Sequence, residues 1–156
     1  MRIELIHPML VHFPIALLLT AAVLKVIGYC ARRCSFYGSL LFCSRLILTF
    51  GVIFAWIAIC AGELAADVVG KNLCLPQVLA NHSLLAYTTA YLFTVGLLLD
   101  LARLWNRLAA LRKWLVILSS VALLLGTCTL LATAYLGGKM VYEQGAAVEK
   151  NCSPAQ

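Results

Sequence analysis

The sequence predicts an all-α membrane protein, an antiparallel four-helix transmembrane bundle with both termini on the outer face. Three observations predict it. The chain of 156 residues is 63% hydrophobic and only 12% charged, about half the charge of a soluble domain. Apolar runs of about twenty residues recur along it, the length that crosses a bilayer as a helix. The runs are continuous rather than alternating, which excludes a membrane β-barrel. The whole chain, 1–156, reads as a single transmembrane domain with helices over about 8–30, 39–61, 82–101 and 114–136.

The first helix opens on His7-Pro8-Met9-Leu10-Val11-His12-Phe13-Pro14-Ile15-Ala16-Leu17, which holds two of the three histidines and two of the four prolines. Pro8 suits the first helical position, where its missing N–H costs nothing, and His7 is then the cap residue. Pro14 lies further in. It frees the carbonyl of Leu10 and is expected to bend the helix just beyond His12. One Arg precedes this run and the positive charges follow it, so it reads as a retained membrane helix rather than a cleaved signal peptide.

A short loop with Arg32 and Arg33 follows, towards which Lys25 and Arg45 are expected to snorkel. The second helix ends in Gly62-Glu63-Leu64-Ala65-Ala66-Asp67, where Glu63 and Asp67 share a face if the helix continues. The third begins near Asn81-His82-Ser83, with Asn81 or Ser83 as its cap. Asp100 near its other end has Arg103 and Arg107 close by, which reads as an interfacial ion pair. Trp105 and Trp114 bracket the next loop as an interfacial aromatic belt. The fourth helix runs into Gly137-Gly138-Lys139-Met140-Val141-Tyr142-Glu143-Gln144-Gly145.

The net charge of +6 fits membrane topology better than nucleic acid. No run of Lys and Arg interleaves with aromatics as a nucleic-acid groove requires. The basic residues gather instead around the two short loops: Lys25, Arg32, Arg33 and Arg45 at one, Arg103, Arg107, Arg112 and Lys113 at the other. The positive-inside rule puts both loops in the cytoplasm. His7, His12 and His82 then fall at the outer face, with Glu63, Asp67, Tyr142 and Glu143. The two hairpins share an outline of histidine, apolar run, basic loop, apolar run and glycine. If they are repeats, His12 and His82 are counterparts facing each other; shared topology alone gives the same outline.

Ionisable residues in membrane helices are costly and mark function. Two imidazoles on facing helices suit haem iron, and a four-helix bundle is a usual host. His12 and His82 are the leading pair for haem b, with His7 in reserve. His7, His12 and His82 with Glu63 or Asp67 suit a transition-metal ion instead. Proton or quinone chemistry is a third use of such a set. A structural role, with histidines bonded to each other or to the Leu10 carbonyl, stands beside all three. No soluble-enzyme motif such as GxSxG, HExxH or CxxC is present, so the chain reads as an electron carrier or complex subunit rather than an enzyme by itself. Cys30, Cys34, Cys43, Cys60 and Cys128 read as small apolar fillers. Cys74 and Cys152 fall in exterior segments and are the disulfide candidates.

The HPxxVHFPIAL opening, the Gly62 to Asp67 stretch, His82 and the closing Gly137-Gly138-Lys139-Met140-Val141-Tyr142 block resemble the bacterial DUF2231 membrane family, over nearly the whole chain. The resemblance implies a small bacterial inner-membrane protein of about four helices. Some members are joined to c-type cytochrome or other redox domains, which implies a part in electron transfer. This chain carries no CxxCH, so any c-type haem belongs to a partner. The reading is therefore a b-type haem protein exchanging electrons at the outer, periplasmic face with a redox partner or larger complex. The alternative is a non-enzymatic subunit that anchors or assembles a complex, with a structural metal or no cofactor. Membrane lipid is the surrounding partner, a homo-oligomer is possible, and nucleic acid is not expected.

Overall fold

A computed structural model describes residues 5–69 and 76–146. Among them every regular element is helical. Helix α1, Ile6–Leu10, and helix α2, His12–Cys30, form one span interrupted at Val11. Helix α3 covers Tyr37–Val69, α4 Pro76–Ala102 and α5 Arg112–Gln144, with a 3-10 segment over Asn106–Leu111. Four spans are long and apolar enough to cross a membrane: Ile6–Cys30, Tyr37–Val68, Pro76–Ala102 and Asn106–Gln144. This is a multi-pass membrane architecture. Helix α2 packs on α3 and α4 on α5; α3 meets α4 and α2 meets α5, which closes the four spans into a bundle.

The helices overrun the apolar stretches at the end that carries the histidines. Helix α4 begins at Pro76 rather than near His82, and α3 and α5 run roughly two turns beyond the expected ends. Hydropathy marks where lipid ends; backbone hydrogen bonding need not stop there. Asn81 and Ser83 are therefore interior to α4 and cap nothing, while Pro76 takes the first helical position. Helix α5 stops at Gly145, which sits at φ 65° and ψ 30°. The Ala146 N–H then donates to Met140 O at 3.0 Å, closing the helix end.

At the N-terminal end the helix starts at Ile6, so Pro8 is its third residue and His7 its second. His7 is a helical side chain, not a cap. Pro8 remains within the first turn, whose N–H groups have no intrahelical partner. The hydrogen-bond ladder is interrupted at Val11, between α1 and α2, one residue before His12, although Val11 keeps helical angles (φ -61°, ψ -23°). Pro14 explains it: the proline cannot donate to Leu10 O, and the ladder resumes with Ile15 N donating to Val11 O at 3.2 Å.

The core joins both hairpins through Leu18, Ala21, Leu48, Val52, Ala90, Phe93, Leu97, Leu123 and Leu130. The outside is equally apolar, with Met9, Val26, Phe42, Leu98 and Leu124 exposed, as a bundle surrounded by lipid requires. Cys30, Cys34, Cys43, Cys60 and Cys128 are all free and exposed. They belong to the outer surface and fill no core gap.

The two hairpins are repeats, in a register different from the expected one. Ser44 Oγ donates to Ala21 O and Ser119 Oγ to Gly96 O, both at 2.8 Å and both across 23 positions. Gly51 lies against Leu17 and Leu18, and Gly126 against Leu92 and Phe93. Each second-hairpin residue follows its counterpart by an offset of 75 positions (from 44 to 119, and from 51 to 126). At that offset Leu10, Leu17, Leu24, Leu40 and Leu48 also meet Leu85, Leu92, Leu99, Leu115 and Leu123. Small residues at these crossings let the helices of each hairpin approach closely, the usual basis of packing in lipid.

At the end of the bundle that carries the two connections, Asp100 is buried among three cations. Lys25 Nζ lies 3.3 Å from Oδ1, Arg45 Nε 2.7 Å from Oδ2 and Arg103 Nε 3.0 Å from Oδ1. Lys25 also donates to Ser119 Oγ at 2.5 Å. Lys25 and Arg45 therefore turn inward rather than snorkelling to the loop, because a carboxylate waits inside. Arg103 pairs with Asp100 as expected from the sequence. Arg107 is exposed, and the surface pair becomes a buried cluster.

Candidate functional site

The histidines lie at the opposite end. His7, on α1, and His82, on α4, approach edge to face, with ring centroids 6.3 Å apart and planes at 90°. Each ring is anchored within its own hairpin. His7 Nδ1 lies 2.8 Å from Ala58 O on α3, and His82 Nδ1 lies 3.0 Å from Thr133 O on α5. Both bonds cross 51 positions, so His7 and Ala58 are the counterparts of His82 and Thr133 at the same 75-residue offset (from 7 to 82, and from 58 to 133). His12, expected as the counterpart of His82, corresponds to Tyr87 instead.

A carbonyl oxygen only accepts. Each Nδ1 must therefore carry the proton, and in the neutral ring Nε2 keeps its lone pair. The rings reach these carbonyls because glycine lies one turn further along the partner helix. A Cβ at Gly62 would stand 2.9 Å from His7 Cε1, and one at Gly137 would stand 3.3 Å from His82 Cε1. Glycine is costly inside a helix, and here it leaves room for the edge of an imidazole against the backbone.

Both rings line a cavity of about 590 Å³ at this end of the bundle. Its walls are mainly apolar: Pro8, Val11, Pro14, Leu18, Ala55, Ile59, Ala86, Leu130 and Met140 among others. His12 also borders it, but is itself exposed and bonds to no other described side chain or carbonyl. Polar groups on the wall include Ser83, Thr89, Thr133, Glu63 and Tyr87. Tyr87 Oη donates to a carboxylate oxygen of Glu63, and its ring joins Trp56 and Tyr91 in an aromatic cluster. Trp56 is held by its Nε1 donating to Thr94 Oγ1 at 3.1 Å.

The structure thus joins His7 to His82 and leaves His12 at the rim. Glu63 is taken up by Tyr87, and Asp67 is exposed. Among the described residues no group of three or more His, Cys, Asp or Glu side chains converges as a metal-ion site. Cys74 and Cys152 lie outside the described residues. The signal that would have selected His7 was present in the sequence. Aligning the hairpins on Ser44 with Ser119, Gly51 with Gly126 and Gly62 with Gly137 brings His7 onto His82.

Residues 4–150 match the family model described as predicted membrane protein, DUF2231. The chain belongs to the DUF2231 family. No curated protein and no solved structure matches it. For this DUF2231 protein the site must be read from its own geometry. That geometry is two imidazoles from separate repeats, each with one nitrogen fixed by a carbonyl, on the wall of an apolar cavity.

Proposed function

We propose that the chain is a membrane-bound b-type haem protein that takes part in electron transfer, with His7 and His82 as the residues that would hold the iron. The observation that carries the reading is the matched anchoring of the two rings. A ligating histidine characteristically donates its other ring N–H to a carbonyl, which fixes tautomer and orientation. The two rings stand 6.3 Å apart on the wall of the same cavity, each on a different hairpin. An apolar cavity in a four-helix bundle is a suitable host. Bound there, haem iron supplies a one-electron couple whose potential the ligands and burial set. The protein's own part is to hold both imidazoles in one tautomer and to surround the group with apolar side chains. Electrons would pass to or from a redox partner or larger complex at the outer, periplasmic face of the bacterial inner membrane.

A second reading rests on the same hydrogen bonds. His7 to Ala58 and His82 to Thr133 each tie the two helices of one hairpin together. They serve equally as locks in a subunit that anchors a larger complex without a cofactor.

Absorption spectroscopy separates the two. Protein purified from haem-replete cells is expected to be red, with a Soret band and a sharp α-band after reduction. His7→Ala and His82→Ala should each lose the bis-histidine spectrum; His12→Ala and Cys128→Ala should keep it. A colourless preparation overturns the haem reading, and metal analysis then decides between a bound ion and a bare scaffold.

A further inference from the structure

The charge cluster at the connection end is not neutral. One carboxylate, Asp100, faces Lys25, Arg45 and Arg103, which leaves two positive charges in excess. Arginine stays protonated in proteins, so an excess remains even if Lys25 were neutral. Uncompensated charge at a membrane-embedded site is expensive. The excess positive charge favours an anionic ligand at this cluster.

The geometry says where it would sit. Both guanidiniums approach Asp100 through Nε, and neither bonds to another described residue. Their terminal nitrogens remain for a further acceptor. The Arg45 and Arg103 side chains keep 16% and 12% exposure, against 5% for Lys25 and Asp100. Both arginine side chains are thus partly open to the bundle surface, whereas Lys25 and Asp100 are closed off. The Tyr29 hydroxyl is buried beside them without a hydrogen-bond partner and within electrostatic reach of Arg103, Asp100 and Arg45. It adds a neutral donor to the same set.

We propose that this cluster binds the phosphate of an anionic membrane lipid, held by Arg45 and Arg103 with Tyr29 in support. Guanidinium forks match phosphate oxygens in pairs, and basic pockets between membrane helices are recognised headgroup sites. Depth favours a lipid over free phosphate. Asp100 and Arg103 lie at the end of α4, and Lys25 lies roughly 8 Å along the axis from the end of α2. Spans longer than the apolar layer needs bring such ends to the headgroup level. Arg32, Arg33, Arg107, Arg112 and Lys113 are exposed in or beside the two basic connections at the same end and favour an anionic leaflet there.

Native mass spectrometry of the full chain in neutral detergent tests the proposal, with equimolar phosphatidylglycerol and phosphatidylcholine competing. The wild type should retain phosphatidylglycerol at least fivefold over phosphatidylcholine. Arg103→Gln should reduce that preference to near parity, while Arg33→Gln in the exposed loop should leave it intact. Equal retention of the two lipids by the wild type overturns the proposal. So does an unchanged preference in Arg103→Gln, or an equal loss in Arg33→Gln, which would mean diffuse surface attraction. Inorganic phosphate at millimolar concentration should not displace the lipid; displacement would assign the site to free phosphate. If Arg103→Gln fails to fold, the wild-type lipid comparison and the phosphate arm still decide.

Discussion

Lys25 and Asp100 occupy equivalent positions in the two repeats, and they meet each other, Nζ 3.3 Å from Oδ1. Two copies of the first hairpin would oppose lysine to lysine, and two of the second would oppose aspartate to aspartate. Opposite charges at matched positions make the hairpins complementary to each other rather than to themselves. Such pairs set partner choice more than they add stability.

Removing the single carboxylate should therefore be severe. Asp100→Asn leaves three cations facing one another and is expected to cost about 3–5 kcal/mol, the range for breaking a buried pair. Thermal unfolding in detergent measures it. Lys25→Met with Asp100→Leu should recover part of the loss, because both charges of the pair leave together. A double variant no better than Asp100→Asn would show that Arg45 and Arg103 dominate the cost.

Ser44 and Ser119 are counterparts with unequal duties. Ser44 only donates to Ala21 O, whereas Ser119 donates to Gly96 O and also accepts from Lys25. Ser44→Ala should cost about 0.6 kcal/mol, the average for an interhelical hydrogen bond in lipid. Ser119→Ala should cost about 1.5–3 kcal/mol, because its bond to Lys25 is charge-assisted. Equal losses in chemical or thermal unfolding would contradict the assignment.

The glycine seats are also unequal. A methyl group at Gly62 meets the His7 ring at 2.9 Å, and one at Gly137 meets His82 at 3.3 Å. Gly62→Ala is expected to displace His7 and to destabilise by about 1–3 kcal/mol, the overpacking range. Gly137→Ala should lose less, since a small shift of the ring accommodates it. NMR of the histidine side chains should show the His7 signals moving in the first variant and His82 moving little in the second.

Orientation is open to a direct measurement. The basic connections are expected in the cytoplasm, and Cys34 is exposed in the first of them. In a variant with Cys34 as its single cysteine, a membrane-impermeant maleimide should label only after the cells are permeabilised. Labelling in intact cells would reverse the topology and move the histidine cavity to the cytoplasmic side.

The four spans were legible because lipid imposes a length and a polarity on every helix that crosses it. The partner of His82 was not. Pro8 reads as a helix start, which leaves His7 outside as a cap, and His12 lies nearer the apolar boundary. Which of the two rings turns towards α4 depends on helix phase across the break at Val11, and one proline does not fix that phase. Lys25 and Arg45 were misplaced for a related reason. A long cationic side chain reaches either water or a buried carboxylate, and hydropathy does not distinguish the two. Asp100 at the counterpart of Lys25 was the readable clue.

Each imidazole is gripped by the other helix of its own hairpin, and no described hydrogen bond joins His7 to His82. The orientation of each ring is thus a property of one repeat, while the gap between them depends on how the repeats are set against each other. That gap behaves as a caliper across the hairpin interface. A tilt of one hairpin against the other would open or close it without disturbing either ring's anchor, and whatever occupies the gap would in turn hold the two halves at a fixed spacing.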